Sequence, residues 1–290
     1  MTHALTVKQA IREASAAFEA SYSLSPRLDA ELLLAEALGV SRERLYAEPE
    51  RVLTAEESER FAGFVKRREK REPVAYILGR KAFRTIELQL NENTLIPRPE
   101  TETLVEVALE RLQLVDKEEP RVLDIGTGSG NIALALAAEH PTVRVVGTDI
   151  HPAPLEMAHQ NAVRLGLQER VEFLVSDVYD DLPGGARFDV IVSNPPYVTE
   201  DALRRARPEV RGFEPHVALI GGDHGMEFYE RIVPGAPPFL EPHGTLAVEI
   251  AEDKVVEVLA LFVSTGRYED IDVRPDLGGL PRVVFAREKS

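Results

Sequence analysis

From Pro120 to the C-terminus, short apolar runs alternate with helical stretches, and this alternation most narrows what the chain can become. The runs 122–125, 144–149, 171–175, 188–193, 245–250, 268–273 and 282–286 read as strands. Residues 131–139, 154–165 and 254–264 carry helical periodicity, and a further helix is expected over residues 100–114. Strands that alternate with helices predict a mostly parallel, doubly wound sheet, because a parallel neighbour is reached through a crossover helix. The expectation is an α/β, Rossmann-like fold with a mostly parallel seven-stranded sheet. In such sheets ligands bind beyond the carboxyl ends of the strands.

The first 80 residues read instead as a small all-α domain. Residues 7–18 are amphipathic, and Ser25-Pro26 offers a serine N-cap followed by proline at the first helical position. Leu28, Leu32, Ala35 and Leu38 recur at helical spacing up to Gly39, and residues 41–47 suit a short helix. Thr54-Ala55-Glu56-Glu57 is a capping box for a charged helix to about Glu69. Its basic end, Lys66-Arg67-Arg68, reads first as a solvated face complementing the helix dipole, and second as a contact for a substrate protein or its bound RNA. Pro73 breaks the helix, and Ala82–Leu90 suits a hairpin. The expected division is 1–80 helical domain, 81–95 hairpin linker, and 96–290 main α/β domain.

Two sequence stretches fall where that sheet would bind a ligand. Asp124-Ile125-Gly126-Thr127-Gly128-Ser129-Gly130 follows the first strand, and its glycines let the backbone turn tightly and approach a ligand. The spacing is G-x-G-x-G, not the G-x-G-x-x-G of a dinucleotide site. Asp149 ends the second strand, where it can accept from ribose hydroxyls; Asp177, followed by Val178, ends the third, where it can accept from an adenine amino group. Asp124 is placed to meet a cationic amino group. The second stretch, Asn194-Pro195-Pro196-Tyr197, follows the buried run 188–192, which carries Asp189 near its start. Two prolines make a stiff turn with carbonyl acceptors and no N–H donors. Asn194 adds an acceptor oxygen and Tyr197 an aromatic face. Two acceptors and a ring suit a planar –NH2 group, holding its nitrogen toward an electrophile. Orientation of that kind can supply part of the roughly 7–11 kcal/mol available to near-attack geometry. Taken alone, the tetrapeptide is equally a strand-ending turn with a capping asparagine, and the aspartates can be helix caps.

Composition sets limits. The 290 residues include no cysteine, which removes disulfides, thiolate metal sites and cysteine nucleophiles and fits a cytoplasmic location. His151, His216, His224 and His243 show no metal-ligand spacing, so no metal is expected. No apolar run approaches the roughly 20 residues of a membrane span, and Met1-Thr2-His3-Ala4-Leu5 lacks the pattern of a signal peptide. The net charge of -15 disfavours generic nucleic-acid binding and suits a basic protein partner, and no direct sequence-specific nucleic-acid contact is expected.

Asn-Pro-Pro-Tyr resembles the motif of S-adenosylmethionine-dependent amino-methyltransferases that act on glutamine amides or on the exocyclic amine of adenine. The order Asp124, glycines, Asp149, Asp177, Asn194 resembles class I methyltransferases throughout residues 121–197. Three more stretches narrow this to the PrmC (HemK) family, the glutamine N5-methyltransferases of class I peptide chain release factors. They are Leu95-Ile96-Pro97-Arg98-Pro99-Glu100-Thr101-Glu102, Pro73-Val74-Ala75-Tyr76-Ile77-Leu78-Gly79, and Asp276-Leu277-Gly278-Gly279-Leu280-Pro281-Arg282. Related ribosomal-protein glutamine methyltransferases have Arg-Ser where Arg98-Pro99 stand here.

The resemblance implies the class I methyltransferase fold and S-adenosylmethionine as cofactor. It is to be held by Asp124, Gly126, Thr127, Gly128, Ser129, Gly130, Asp149, Asp177, Val178 and Asn194. The implied catalytic residues are Asn194, Pro195 and Tyr197. The glutamine of a Gly-Gly-Gln loop would meet Asn194, Pro195, Pro196 and Tyr197, with Arg98 nearby. The N-terminal domain would recognise the release factor, and a monomer is expected. Competing readings are an adenine N6-methyltransferase, a ribosomal-protein glutamine methyltransferase, a non-catalytic cofactor-binding adaptor and, least, a nicotinamide oxidoreductase. Two departures stand out. Val178 replaces a bulky aromatic, implying a looser adenine pocket, and Ala251-Glu252-Asp253-Lys254 replaces a glycine-containing segment. Gly221-Gly222-Asp223-His224-Gly225 reads as a flexible loop near the cleft with no chemistry of its own.

Overall fold

The computed structural model describes residues 5–289; Met1–Ala4, read above for a secretion signal, and Ser290 lie outside them. The chain forms two compact units, Met1–Arg80 with Arg207–Phe213, and Lys81–Ala206 with Glu214–Ser290.

The first unit holds helices α1 (Val7–Ala20), α2 (Pro26–Leu38), α3 (Arg42–Ala47), α4 (Ala55–Glu69) and α5 (Val74–Leu78). Phe18, Leu33, Leu34, Phe61 and Ile77 share its core. Thr54 and Glu57 form the expected capping box on α4, and Thr6 and Gln9 form another on α1. Ser25 takes the N-cap position of α2 without capping it. Its hydroxyl donates instead to Asp29 Oδ1 at 2.8 Å, while Ser23 donates to Oδ2 at 2.7 Å, because a carboxylate is a stronger acceptor and sits on the first turn.

The solvated reading of Lys66-Arg67-Arg68 holds for exposed Lys66 and fails for buried Arg68. Arg67 pairs with Glu72. Arg68 is 5% exposed; its Nε donates to Asp29 Oδ2 at 2.8 Å and its Nη2 to Glu209 Oε1 at 3.0 Å. Glu209 belongs to the returning segment and also takes Arg71 at 2.6 Å. Helical periodicity could not disclose acids 39 residues before and 141 residues after Arg68. Arg68→Ala should lower stability by about 3–5 kcal/mol, the penalty for leaving buried Asp29 without its cation, while Glu209 keeps Arg71. The urea midpoint reads this, and an unchanged midpoint would show the network to be inert.

In the second unit, the hairpin β1 (Arg80–Phe83) and β2 (Ile86–Gln89) leads through a turn at Pro99–Thr101 into α6 (Glu102–Leu112). Then follow β3 (Arg121–Ile125), α7 (Asn131–Glu139), β4 (Arg144–Asp149), α8 (Pro152–Leu165), β5 (Val171–Val175) and β6 (Phe188–Ser193). Short helices α9 (Glu200–Arg205) and α10 (Pro208–Phe213, the segment counted with the first unit) precede α11 (Glu227–Gly235), β7 (Leu240–Glu249), α12 (Val255–Ser264), β8 (Tyr268–Pro275) and β9 (Pro281–Glu288).

The seven-stranded sheet has the order β5-β4-β3-β6-β7-β9-β8. β3 to β7 pair in parallel, and β9 is antiparallel to both its neighbours. All six residues of β6 are buried, as in a parallel strand covered on both faces. Its buried Asp189 is compensated by Lys117 at 2.6 Å and the Arg121 N–H at 2.8 Å. The chain runs from β3 outward through β4 and β5, then returns to the other side of β3 with β6 and β7. The switch point therefore lies between the carboxyl ends of β3 and β6, and ligands bind at such a crevice. Among the described residues no helix is long and apolar enough to cross a membrane. No cluster of His, Cys, Asp or Glu among them could hold a metal ion.

Candidate active site

The glycine loop leaves β3 and enters α7. Gly126 and Gly128 take φ of 74° and 56°, left-handed values that favour glycine, and a Cβ on either would meet nothing within 4 Å. The space above them is open to a ligand. Gly130 differs: a Cβ there would stand 2.9 Å from Leu134 Cδ1, so this glycine serves packing. The N–H groups of Gly126 and Thr127 both donate to the Thr148 carbonyl at 2.8 Å. Buried Asn161 braces the loop by donating to the Ser129 carbonyl at 3.0 Å while pairing with both backbone groups of Gln89.

Asp124 is fully buried at the end of β3. Its Oδ2 accepts from Thr127 Oγ1 at 2.6 Å and from the Ala133 N–H at 3.1 Å, whereas its Oδ1 has no partner. Burial pushes this carboxyl up to about 7. Asp149 accepts from the Gly128 N–H at 3.1 Å and the His151 N–H at 3.0 Å; burial outweighs these bonds and raises its pKa. A buried carboxylate oxygen without a partner, at the strand end that leads into the open glycine loop, fits a ligand that carries a cation and presses close to backbone. Asp177 is partly exposed and paired with Arg231 at 2.8 Å, so one oxygen is already engaged. Val178 is buried in the cluster that contains Ile125 and Ile232, at φ 58°, a strained conformation for a β-branched residue.

Across the switch point, Ser193 Oγ donates to the Ile125 carbonyl at 2.8 Å and ties β6 to β3. Asn194 Nδ2 donates to Thr101 Oγ1 at 3.1 Å, which leaves the Oδ1 acceptor for another group. The Tyr197 hydroxyl stands 3.5 Å from Glu249 Oε1, and burial raises its pKa well above the ordinary phenol value. Arg98 is held by Glu214 at 2.6 Å, and Glu214 Oε2 also accepts from the Ile96 N–H at 3.3 Å.

One cleft is lined by Gly126, Thr127, Gly128, Ser129, Asp149, Asp177, Val178, Asn194, Pro195, Pro196 and Arg98. Asp124, Gly130 and Tyr197 lie behind its surface; they are buried or packed rather than lining it. The loop Gly221–Gly225 is anchored at its first residue. The Val198 N–H donates to Leu219 O at 2.8 Å, and the Gly221 N–H to Val198 O at 3.0 Å. A Cβ on Gly221 would strike the Pro196 carbonyl oxygen and lie 2.7 Å from Tyr197 Cα. Thr101 and Glu249 are neighbours to which the sequence assigned no role, and Gly221 lies in the loop it placed near the cleft without chemistry. Glu249 had a signal, an acid at the end of an apolar strand; Gly221 had none beyond its glycines.

A family model described as the PrmC N-terminal domain matches residues 9–79, and one described as the methyltransferase small domain matches residues 102–207. The release factor glutamine methyltransferase of Koribacter versatilis is 42% identical over 287 residues, covering 98% of this chain and 99% of that one. Its counterpart from Geobacter sulfurreducens is 43% identical over 261 residues, covering 90% and 89%. Among solved structures, a methyltransferase from Pyrococcus furiosus superposes with a TM-score of 0.51 at 19% identity, covering 72% of this chain and 92% of that one, a likeness of fold.

Proposed function

This chain belongs to the release factor glutamine methyltransferase family, and from that premise we propose how its residues methylate the glutamine of a Gly-Gly-Gln loop in class I release factors. It is an S-adenosylmethionine-dependent methyltransferase. The observation that carries the site assignment is the Asn194 side chain, whose nitrogen is committed to Thr101 and whose oxygen is not.

S-adenosylmethionine supplies an electrophilic methyl group. Asp124, Gly126, Gly128 and Asp149 hold it: the orphaned Asp124 Oδ1 suits its cationic end, and Asp149 suits the ribose. Thr127 keeps Asp124 oriented, and Ser129 and Gly130 shape the loop. Val178 and the unpaired oxygen of Asp177 border the adenine. Asn194 Oδ1 and the Pro195 carbonyl accept the two N–H bonds of the substrate amide, fixing its plane. Pro196 stiffens the turn, and Tyr197 supports the amide. The amide nitrogen forms the N–CH3 bond as the S–CH3 bond breaks and sulfur keeps the electron pair as a neutral thioether. The two acceptors hold the N–H bonds during transfer, and one of these protons, acidic once the nitrogen is alkylated, is then lost to water. Pre-set acceptors cost no reorganisation during transfer. Arg98 contributes by holding Glu214 and the entry segment rather than by a free charge.

The protein partner is a class I release factor, met as a monomer in the cytoplasm, and residues 1–80 grip it. The acidic chain suits a translation factor that itself binds RNA. Peptide mass spectrometry of an unmodified release factor incubated with this protein and S-adenosylmethionine tests the reading. One methyl on the loop glutamine is expected; methyl transfer to another residue, or none, would overturn it.

Cofactor affinity should depend on pH. Asp124 titrates near about 7, facing Asp149 as its nearest charge, and a cation at Oδ1 favours the ionised form. Below that value binding must expel a proton, so affinity rises with pH up to about 7 and then levels. Calorimetry should show this rise, and Asp124→Asn should bind weakly at all pH; a flat wild-type profile would refute the role.

A further inference from the structure

We propose that Ser176 is a positioning residue for the cofactor: its hydroxyl holds the turn after β5 in a strained shape that sets Asp177 and Val178 against the adenine. This rests on the places beside the adenine given to those two residues above.

Residues Asp177 to Asp180 form a turn closed by the Asp180 N–H, which donates to the Asp177 carbonyl at 3.2 Å. Val178 is its second residue, and its φ of 58° lies in the left-handed region. Glycine enters that region freely and asparagine is tolerated there, whereas a β-branched residue is disfavoured. Nothing in Val178 itself therefore selects this turn, and its neighbours must impose it. Ser176 is 2% exposed, and its hydroxyl bridges the turn. Oγ donates to the Val178 carbonyl at 3.3 Å and accepts from the Asp181 N–H at 3.2 Å. The Ser176 N–H donates to the Asp149 carbonyl at 3.0 Å, which joins the turn to the end of β4. From α11, Arg231 pairs with Asp177 at 2.8 Å, and the Ile232 carbonyl accepts from the Tyr179 hydroxyl at 2.9 Å. Those two contacts hold side chains, while the Ser176 hydroxyl holds the Val178 peptide itself.

Ser176, Asp177 and Val178 all line the cleft. Backbone strain persists where the surroundings over-determine it, and such places cluster at ligand sites. Relaxation of Val178 to negative φ would rotate its side chain out of the cluster it shares with Ile125 and Ile232 and re-aim the Asp177 carboxylate. A non-glycine residue is disfavoured in the left-handed region by roughly tenfold. Without the hydroxyl, only about a tenth of the molecules would keep the binding-competent turn, and the apparent Kd would rise by the reciprocal of that fraction. With glycine or asparagine at 178 the resistance is largely gone, and the hydroxyl has little left to hold. Ser176 thus matters to the cofactor in proportion to how strongly residue 178 resists its conformation.

The test introduces Ser176→Ala into three backgrounds: the natural Val178, Val178→Gly and Val178→Asn. The asparagine background keeps the comparison open should glycine loosen the buried cluster. Calorimetry reads the affinity for S-adenosylhomocysteine and for its 6-oxo analogue S-inosylhomocysteine, and the urea midpoint follows folding. With Val178 in place, Ser176→Ala should weaken S-adenosylhomocysteine about tenfold. The 6-oxo compound should lose less, because it lacks the amino group that Asp177 accepts from, so the preference for the amino-bearing base should narrow. On release factor at saturating cofactor, kcat should be retained. In the glycine and asparagine backgrounds the same substitution should cost less than about threefold, a coupling that independent sites do not show. Equal losses in all three backgrounds, no loss with Val178, or a fall in kcat with affinity retained would overturn the proposal. A natural protein that did not prefer the adenosyl compound would instead overturn the adenine assignment, and the dependence on residue 178 would still decide the role of Ser176.

Discussion

Asn194→Ala should lower kcat on release factor by on the order of 10²–10³-fold, the loss seen when one preorganised polar group aimed at the reacting atoms is removed. The affinity for S-adenosylmethionine should change little. Asn194 is half-buried at the end of β6, and its one bond within the protein goes to Thr101. Removing its side chain leaves a small polar space that water can fill, and it leaves the Asp124 and Asp149 contacts untouched. The substrate amide would keep the Pro195 acceptor and lose the second, so its plane could rotate away from the methyl donor. Loss of orientation falls on kcat more than on binding. Single-turnover mass spectrometry with calorimetry on the same preparation separates the two. Undiminished transfer by the variant would remove Asn194 from the chemistry; equal losses in cofactor affinity and rate would place it in the cofactor site instead.

The sheet could be read in the sequence because its central strands are covered on both faces. β6 is such a strand, buried along its whole length, and it begins and ends where its run does; β4 and the edge strand β5 also keep their expected bounds, although exposed residues interrupt their apolar pattern. β7 starts earlier than expected, at Leu240 rather than Thr245, because Pro242, His243 and Gly244 look like a turn yet continue the strand through an irregular stretch. The short helices α9, α10 and α11 escaped because Pro208, Pro234 and flanking glycines mask their periodicity. The glycine loop and Asn194 were legible as motifs, since each concentrates unusual residue types in one place. Their supports were not. Thr101 reaches Asn194 across 93 residues, and Tyr197 reaches Glu249 across 52. Arg68 and Glu209 illustrate the same limit in the helical unit: each is unremarkable among its sequence neighbours, and their burial makes them a pair. Motif residues announce chemistry, while the residues that orient them are ordinary types whose role is set by distance in space.

Gly221→Ala should be the most damaging substitution outside the residues that touch substrate. The added Cβ would meet the Pro196 carbonyl carbon at 2.8 Å and Tyr197 Cα at 2.7 Å. These are backbone atoms, and the Val198 and Gly221 hydrogen bonds clamp both segments, so neither yields as a flexible side chain would. The Asn194-Pro195-Pro196-Tyr197 turn, which carries the proposed substrate acceptors, must shift instead. Displacement of about 1 Å can cost 10²-fold in rate, so kcat should fall by about that factor. Overpacking should also cost about 1–3 kcal/mol of stability. Gly184→Ala is the control: a Cβ there meets nothing within 4 Å, and the expected change is within about 0.5 kcal/mol with full activity. If Gly221→Ala kept wild-type kcat, the loop would be a bystander, as its sequence suggested. If it lost stability and cofactor affinity together with rate, the damage would be general. A fall in kcat with cofactor affinity retained would assign the loop a specific task, holding the Asn194-Pro195-Pro196-Tyr197 turn in register with the methyl donor.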